Sequence, residues 1–372
     1  MWVESVKVNG FRNLTGPDGE LELEFCGGVN VLRGLNAQGK TNMIEAIYFC
    51  ATAHSHRTNV TKEMIRFGED LARVQVFVAK GSGKNIYQNR INVLLKNAGR
   101  NRAGKSAAVN GVAIDKLGDL LGVLYCVIFS PEDLGLIKAG PSERRRFMDM
   151  ELCQVNRVYY YELKQYYRIL KQRNSLLKSL QKSGTSGQLM ETLELWDAQL
   201  TGSGSRISVI RRAYVDEISV LAAKIHMGLC GEELQALYKP SALPDELPER
   251  FKKNRNKDII NGTTTCGIHK DDIIFLLDGL DSRIYGSQGQ QRTAALSLKL
   301  AEVELIRREK GENPVLLLDD VMSELDRKRQ EQLLESIGGI QTFIACTTAE
   351  DSLNINGAAE YVVQGGKIFI QQ

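Results

Sequence analysis

The sequence lacks a marked excess of either charge, a paired-cysteine motif and an apolar run long enough to cross a membrane. Its 48 lysines and arginines face 45 aspartates and glutamates, so the net charge of +3 does not by itself indicate a nucleic-acid partner. The 7 cysteines include no C-x-x-C pair and the 4 histidines no recognisable metal-binding pattern, which favours a reducing compartment and argues against a zinc site. The sequence also begins without a signal-peptide segment, so we expect a cytoplasmic protein with no membrane partner.

The 372 residues, 43% of them hydrophobic, suffice for two or three compact lobes. Strand patterns occupy residues 21–25, 74–78, 85–95 and 125–129 and return at 273–277, 315–318, 342–345 and 361–370. Between them, apolar residues recur at helical spacing on both sides of a Gly–Ser-rich linker at 183–187, which predicts a short antiparallel helical hairpin. Gly202 and Gly204 predict a break or bend in its second helix.

We therefore predict an α/β fold of mixed sheets and helices, interrupted by an inserted helical lobe that contains the hairpin. The predicted divisions are a first part of the head at residues 1–135, the helical lobe at 136–260 and a second part of the head at 261–372.

A glycine-rich loop matching the phosphate-binding pattern G-x-x-x-x-G-K-[ST] lies between a short apolar strand at residues 29–32 and a helix. We call it the phosphate loop, and its residues are Gly34, Leu35, Asn36, Ala37, Gln38, Gly39, Lys40 and Thr41. Its backbone N–H groups suit a phosphate at a helix N-terminus. Lys40 is the predicted catalytic cation for the outer phosphates, and the Thr41 hydroxyl is a predicted ligand of Mg²⁺. The alternative is an ordinary glycine turn with an exposed lysine.

Two carboxylates, Asp319 and Asp320, follow the continuous apolar run at residues 315–318, which is typical of a strand buried on both faces of a parallel sheet. Ligands of open α/β sheets bind beyond the carboxyl ends of the strands. We expect Asp319 to hold Mg²⁺ through water and Asp320 to orient or deprotonate an attacking water. The alternative is a pair of helix-capping aspartates.

A small polar turn, residues 285–292, opens a helix with apolar residues at helical spacing and forms a second candidate anion site. This signature segment resembles that of ABC-type ATPases, and Ser323 to Asp326 resemble their D-loop. The resemblance implies that Ser287, Gly289 and Gln290 act on the nucleotide held by an opposite subunit, and hence an ATP-dependent head-to-tail homodimer. A helix cap is the alternative role for Ser287.

The sequence from residue 3 to 14, the segment His54-Ser-His-Arg-Thr58, the segment 129–134 with 144–149, Gly267-Ile-His-Lys-Asp-Asp272 and the tyrosine-led signature together resemble the RecF family of SMC-related repair ATPases. The resemblance covers essentially the whole chain and implies an ABC-type P-loop ATPase head, with ATP and Mg²⁺ as cofactors and Arg12 and Asn13 in the ATP site. Ile268 and Lys270 depart from the family pattern, which puts in doubt any role that needs the bidentate fork of arginine at 270.

Every charged residue between positions 84 and 105 is basic, which suits phosphate contacts without base readout. A second basic cluster lies at 144–146, and a third, with acidic neighbours, at 250–257. The predicted DNA-binding residues are Lys84, Arg90, Arg100, Arg102, Lys105, Arg144 and Arg145. The alternatives are a solvated basic face and, for the second cluster, structural pairing with carboxylates of the helical lobe.

The resemblance predicts a weak, DNA-stimulated ATPase of recombinational DNA repair and replication, linked to the SOS response. Its dimer would bind double-stranded and gapped DNA and help RecO and RecR to load recombinase. A nucleotide-binding subunit of an ABC transporter is the main alternative, although Cys346 and Thr347 stand where a transporter normally has histidine. An ATPase coupled to a nuclease is disfavoured, since no second carboxylate constellation is visible.

Overall fold

The computed structural model describes residues 1–82, 85–97, 99, 103–184, 187–347, 355 and 357–371. The chain forms two compact units, one made of residues 1–134 with 299–372 and the other of residues 135–298. We call them the head unit and the inserted unit. The inserted unit ends at residue 298, later than the predicted boundary at 260, because residues 272–277 pair with a strand at 234–239 and so belong to its own sheet.

The strands are numbered in chain order: β1 (Trp2–Asn9), β2 (Glu20–Glu24), β3 (Val29–Arg33), β4 (Leu71–Ser82), β5 (Asn85–Asn97), β6 (Ala103–Val109), β7 (Val112–Ile114), β8 (Cys126–Phe129), β9 (Leu234–Lys239), β10 (Asp272–Leu277), β11 (Leu280–Asp281), β12 (Val315–Asp319), β13 (Thr342–Cys346), β14 (Ala359–Gln364) and β15 (Lys367–Ile370). The α-helices are α1 (Lys40–Thr52), α2 (Gly135–Lys138), α3 (Pro141–Val155), α4 (Arg157–Ser183), α5 (Gly187–Cys230), α6 (Leu247–Asn261), α7 (Ser282–Tyr285), α8 (Gln288–Lys310) and α9 (Arg327–Ser336).

The first sheet of the head unit is antiparallel and has the strand order β2-β1-β4-β5-β6-β7. Its strands alternate between buried apolar and exposed polar residues, as in β2, where Leu21 and Leu23 are buried between exposed glutamates. One face of this sheet therefore covers the core and the other faces solvent.

The second sheet of the head unit has the order β15-β14-β3-β13-β12-β8, and every neighbouring pair except β14–β15 is parallel. All residues of β12 and β13 are buried, as expected for central strands covered on both faces. The carboxyl ends of parallel strands meet at one edge, so the phosphate loop after β3 and Asp319 at the end of β12 lie at the same edge, one strand apart. The single strand predicted at 361–370 is a hairpin, because Gly365 and Gly366 turn the chain between β14 and β15.

Helix α1 begins at the phosphate loop and is buried from residue 43 to residue 52. It contacts strands of both sheets of the head unit, including β4, β12 and β13. A helix that is apolar on all sides is typically buried in this way. The helix thus fixes the direction from which its N-terminus meets a ligand.

The inserted unit is built on the predicted helical hairpin, formed by α4 and α5. The core at one end of the hairpin consists of Leu177, Leu180 and Leu193, with Ile259 of α6 packed against it. Gly202 and Gly204 do not break α5, which runs without interruption through 44 residues, about 66 Å at 1.5 Å per residue, and the alternative of a bend stays a prediction.

The segment 267–272 leads into β10 and lies against the hairpin within the inserted unit. Gly267 has φ 114°, and a Cβ there would lie 2.3 Å from the Tyr166 hydroxyl oxygen, so only glycine fits. The two departures from the family pattern lie in different surroundings, because Ile268 is buried and Lys270 is exposed. No helix in the described part of the chain is long and apolar enough to span a membrane.

Candidate nucleotide-binding site

The phosphate loop approaches β14 closely at its first glycine. A Cβ on Gly34 would lie 2.4 Å from the carbonyl oxygen of Val363, so a larger residue would push the loop off the sheet. Leu35, Asn36 and Ala37 are exposed, and Ala37 has a left-handed φ of 64°. The loop therefore stands open at the sheet edge with its start anchored on β14.

Lys40 is the first residue of α1, and 4% of its surface is exposed. Its ammonium donates hydrogen bonds to the carbonyl oxygens of Gly34 at 2.8 Å and Leu35 at 3.2 Å. These neutral acceptors solvate the charge without cancelling it. Lys40 thus keeps a positive field in the concavity of the phosphate loop, as its predicted role requires.

The far side of the loop is held by Gln38. Its carbonyl oxygen accepts hydrogen bonds from the Gly366 N–H at 2.8 Å and from Asn13 Nδ2 at 3.2 Å, and its side-chain Oε1 accepts from the Gly365 N–H at 2.6 Å. Asn13 Oδ1 also accepts from Asn42 at 2.7 Å. The Asn13 side chain therefore supports the backbone of the phosphate loop. Direct contact between Asn13 and nucleotide stays a prediction.

Arg12 has a strained φ of 51° and directs its guanidinium at a buried carboxylate. Its Nε and Nη2 donate to the two oxygens of Glu45 at 2.9 and 2.8 Å, and Nη1 donates to the Glu63 carbonyl oxygen at 2.6 Å. Burial of Glu45 opposes its ionisation, but hydrogen bonds from Arg12 and Ser55 outweigh burial and lower its pKa. The donors of Arg12 are used on protein acceptors, so its contact with nucleotide also stays a prediction.

Thr41 and Asp319, 278 residues apart in sequence, meet at the sheet edge, where the Thr41 hydroxyl donates to Asp319 Oδ1 at 2.8 Å. His56 Nε2 lies 3.8 Å from Asp319 Oδ2. A hydroxyl beside a carboxylate is the hard oxygen donor set that Mg²⁺ prefers, so the residues present fit this ion. The structure therefore brings Thr41 and Asp319 together, and their binding of Mg²⁺ stays a prediction.

Asp320 follows at φ 51°, half-buried. Burial raises its pKa above the ordinary value, the Lys40 ammonium opposes this and the Asp319 carboxylate adds to it. A carboxylate with a raised pKa is a stronger base than an ordinary aspartate, which suits the predicted role of Asp320.

The signature segment lies in the inserted unit at the start of α8. Ser287 Oγ accepts from the Gln290 N–H at 3.2 Å, and Gln290 Oε1 accepts from the Ser287 N–H at 2.9 Å. This reciprocal pair of hydrogen bonds is a capping box, so Ser287 caps the N-terminus of α8 within a single chain. Both residues are exposed or half-exposed, and a Cβ on Gly289 would meet nothing within 4 Å, so the helix N-terminus is open to a further partner.

The predicted DNA-binding residues fall into different surroundings. Lys84, Arg100 and Arg102 lie outside the described residues. Arg90 is exposed on β5, whereas the Lys105 ammonium lies 5.3 Å from the Phe49 ring centroid and donates to the Ala53 carbonyl oxygen at 3.1 Å. Burial lowers the pKa of Lys105. Its charge is directed into the protein rather than towards solvent.

Arg144 is buried and pairs bidentately with Asp272, at 2.7 and 2.9 Å, and Arg145 Nη1 donates to the Asp271 carbonyl oxygen at 2.7 Å. Arg144 is thus in the arrangement given as the alternative to DNA binding, in which it pairs with a carboxylate. Lys105 and Arg144 thus already have partners inside the fold, and their contact with DNA stays a prediction.

Sequence reasoning missed Glu45 and Ser55 as parts of this site. Glu45 is the one carboxylate in the buried, mostly apolar run 43–51 of α1, and a fully buried charge of this kind requires a partner. A glutamate within an apolar helical run was the feature of the sequence that could have indicated this pair. It did not reveal Arg12 as the partner, because the two residues meet only when the turn after β1 folds against α1.

A nucleotide loop at the carboxyl end of a parallel sheet, a hydroxyl–carboxylate pair beside it and a capped signature helix are the features of an ABC-type P-loop ATPase. The family described as RecF/RecN/SMC N terminal domain matches residues 2–363. The Smc head domain of Pyrococcus furiosus, with a TM-score of 0.56 over 100% of this chain and 96% of its own at 15% identity, shares the fold.

Relatives with higher sequence identity assign the chain to one family within this class. The DNA replication and repair protein RecF of Lachnospira eligens is 47% identical over 356 residues, which cover 95% of this chain and 94% of its own. That of Lachnoclostridium phytofermentans is 44% identical over 356 residues and covers 95% of each. A solved structure of the recombination mediator protein RecF with ATP in the RecFOR pathway superposes with a TM-score of 0.90 at 36% identity, covering 100% of this chain and 98% of its own. The chain belongs to the RecF family.

Proposed function

We propose that this chain is an ATP-dependent DNA-binding protein of recombinational repair and replication, acting in the cytoplasm. The observation that carries the proposal is the meeting of Lys40, Thr41 and Asp319 at one sheet edge in a chain of the RecF family. Full-length similarity to proteins named for DNA replication and repair, and to a RecF structure with ATP, supports this function over that of a transporter subunit.

The phosphate loop binds the triphosphate of ATP through its backbone N–H groups and Lys40. Thr41 would hold Mg²⁺ through its hydroxyl and Asp319 through its carboxylate, and these two side chains already lie in contact. When bound, Mg²⁺ neutralises charge on the phosphates. Asp320, with its raised pKa, orients the attacking water and accepts its proton.

Two chains bind head to tail, and the open N-terminus of α8 supplies Ser287, Gly289 and Gln290 to the γ-phosphate held by the partner. In this dimer the capping box yields to, or shares its donors with, the phosphate oxygens. ATP therefore closes the dimer, and slow, DNA-stimulated hydrolysis opens it.

The closed dimer holds duplex DNA near gaps or junctions through phosphate contacts that include Arg90 and, within the acid-free stretch, Lys84, Arg100 and Arg102. RecR and RecO are the proposed partners, through which the chain helps to load recombinase on gapped DNA and contributes to the SOS response. Arg145, which is half-buried in the inserted unit and donates from Nη1 to a backbone acceptor, stays in the proposed set.

Fluorescence anisotropy with labelled gapped and intact duplexes tests the DNA function. We expect binding to be at least about tenfold tighter with ATP than with ADP and to weaken steeply as salt is raised. Arg90→Glu should weaken binding to all sequences alike, while Arg73→Glu, on the neighbouring strand and outside the acid-free stretch, should not. Equal affinity with ATP and ADP would refute the gating.

Mixing two variants tests the shared site. Ser287→Arg places a bulky cation where the γ-phosphate of the partner docks, so this variant should bind ATP but neither dimerise nor hydrolyse it. Together with Lys40→Met chains it can form one intact composite site, and partial recovery of ATPase activity is expected. Wild-type hydrolysis by monomeric Ser287→Arg protein would show that the signature segment does not act across subunits.

A further inference from the structure

The C-terminal end of α5 brings three metal-ligand side chains of the inserted unit together. His226 and Cys230 are four residues apart on one helix face, and Glu232 follows the end of the helix. Cys230 Sγ lies 3.3 Å from His226 Nε2 and 3.8 Å from Glu232 Oε2, and His226 Nε2 lies 3.7 Å from Glu232 Oε2. This trio lies outside the nucleotide site and serves no role in it.

Hydrogen bonds on α8 fix the tautomer of His226. The Ser297 hydroxyl donates to the Thr293 carbonyl oxygen at 2.8 Å, so its oxygen accepts from His226 Nδ1, at 2.9 Å. The proton is therefore on Nδ1, and the lone pair of Nε2 faces Cys230 and Glu232. Protein metal sites commonly orient a ligating histidine by such a bond from its other ring nitrogen.

Glu232 is oriented in the same way. Gln290 Nε2 donates to Glu232 Oε1 at 2.9 Å, which leaves Oε2 facing His226 and Cys230. The Cys230 thiol, partly exposed, has the His226 carbonyl oxygen as a further acceptor at 3.3 Å. The lone pair of His226 Nε2, the Cys230 sulfur and the Glu232 Oε2 atom thus all face one common point.

The three separations match the edges of a tetrahedral zinc site. Zinc–ligand bonds of about 2.3 Å to sulfur and about 2.0–2.2 Å to nitrogen and oxygen put the ligand atoms about 3.4–3.6 Å apart. The observed separations of 3.3, 3.7 and 3.8 Å agree with these edges within about 0.3 Å. A hydrogen-bonded cluster alone does not require all three distances to fall in this range.

We propose that His226, Cys230 and Glu232 bind one zinc-class divalent cation, with the fourth position left to water. On binding, the cation replaces the thiol proton of Cys230, which leaves to solvent, and three bonds form to Nε2, Sγ and Oε2. The expectation from cysteine spacing alone, that the chain has no zinc site, missed this arrangement because only one of the ligands is a cysteine.

The site connects to the signature helix. Both orienting residues, Ser297 and Gln290, are on α8, so a bound cation ties the end of α5 to the first three turns of that helix. Zinc should therefore slow amide hydrogen exchange in residues 288–297. This consequence is measurable without ATP or DNA, so it stands or falls independently of the proposed function.

Titration of chelator-treated full-length protein with Co²⁺, then Zn²⁺ in competition, tests the proposal. We expect saturation at about one equivalent per chain and a thiolate-to-cobalt charge-transfer band. Cys230→Ser should abolish the band, and Glu232→Gln should weaken binding, while Cys26→Ser, which replaces another partly exposed cysteine, should leave both unchanged. Absence of saturable binding, or unchanged binding by Cys230→Ser, would overturn the proposal.

Ser297→Ala tests the positioning of His226. Loss of the bond to Nδ1 should weaken Co²⁺ and Zn²⁺ affinity about 10- to 100-fold with the charge-transfer band retained at saturation. Unchanged affinity would show that Ser297 supports the helix and not the ligand, and would remove the link between the site and α8.

Discussion

The buried arginines of the inserted unit and the buried lysine of the phosphate loop differ in their partners. In the inserted unit, Arg173 pairs with Asp197 and Asp258, each at 2.7 Å, and Arg211 with Asp149 and Asp271 at 2.8 and 3.0 Å. In the head unit, Lys40 donates to two backbone carbonyls, and within the described residues no carboxylate lies at ion-pair distance from it.

This difference separates architecture from function. A buried arginine surrounded by carboxylates projects little field and holds helices in register, whereas a buried ammonium solvated by neutral oxygens keeps its charge for a ligand. Charge compensation, not burial alone, thus distinguishes a structural cation from one that awaits an anionic substrate.

The largest effect is expected at Asp320. Asp320→Asn keeps the size and polarity of the side chain but removes the base, so ATPase activity should fall about 10²- to 10⁴-fold while ATP affinity and ATP-dependent dimerisation persist. Single-turnover hydrolysis and sedimentation with ATP measure both. Asp115→Asn, exposed and remote in sequence, is the matched control. A variant that remains monomeric with ATP would contradict the division of roles between Asp319 and Asp320.

Arg211→Met tests whether the charge-compensated arginine stabilises the inserted unit. It leaves Asp149 and Asp271 without their cation, so we expect a loss of about 3–5 kcal/mol in the free energy of unfolding, measured with urea. Arg206→Met removes an exposed arginine of the same helix that pairs with Glu162, and it should cost less than about 1 kcal/mol. Similar losses in both variants would show that compensation of buried charge does not stabilise the hairpin.

A neutral buried group of the inserted unit gives a pH signature. Burial lowers the pKa of His269 from 6.5 to about 4, and the ring accepts from Tyr166 through Nδ1 and donates to the Thr264 carbonyl oxygen through Nε2. The unfolded chain takes up this proton near pH 6.5 and the folded chain only near 4, so stability is lost as pH falls through that window, by up to about 3 kcal/mol.

Urea unfolding at about pH 7 and about pH 4.5 measures the His269 effect. His269→Gln should reduce the dependence on pH, whereas His54→Gln, at an exposed position, should keep it. An identical pH dependence in wild type and His269→Gln would assign the effect to other groups.

Lys40→Met is the smallest of these perturbations in free energy, and it tests the head unit directly. Removing the ammonium should weaken ATP binding about 100-fold, because a charge-assisted hydrogen bond contributes up to about 3 kcal/mol. The fold should tolerate the change, since no buried carboxylate loses a partner. Lys62→Met, at an exposed position, is the control, and ATP affinity within about twofold of wild type in Lys40→Met would remove Lys40 from the site.

Local pattern was sufficient for the elements that carry the chemistry. The phosphate loop, the buried β12 ending in Asp319 and the helical hairpin were predicted because each depends on neighbours in sequence: glycine spacing, a continuous apolar run or helical periodicity. Even so, the period could not fix details. Helical spacing did not show, for example, that Tyr166 of α4 is buried while its neighbour Tyr167 is 42% exposed.

Tertiary structure alone decided which charges meet. The pairs Arg12–Glu45 and Arg144–Asp272 and the Lys105–Phe49 contact join residues that only the folding of separate segments brings together. A basic residue in a sequence carries no mark of whether its partner is a phosphate, a carboxylate or an aromatic ring. The sequence by itself determined that this chain has a phosphate loop, a buried strand that ends in two carboxylates and a helical hairpin, because those features are local. Only the folded chain could sort its cations into structural and available ones, because an ion pair depends on distances of a few ångströms between segments that are far apart in sequence, as Arg144 and Asp272 are, 128 residues apart.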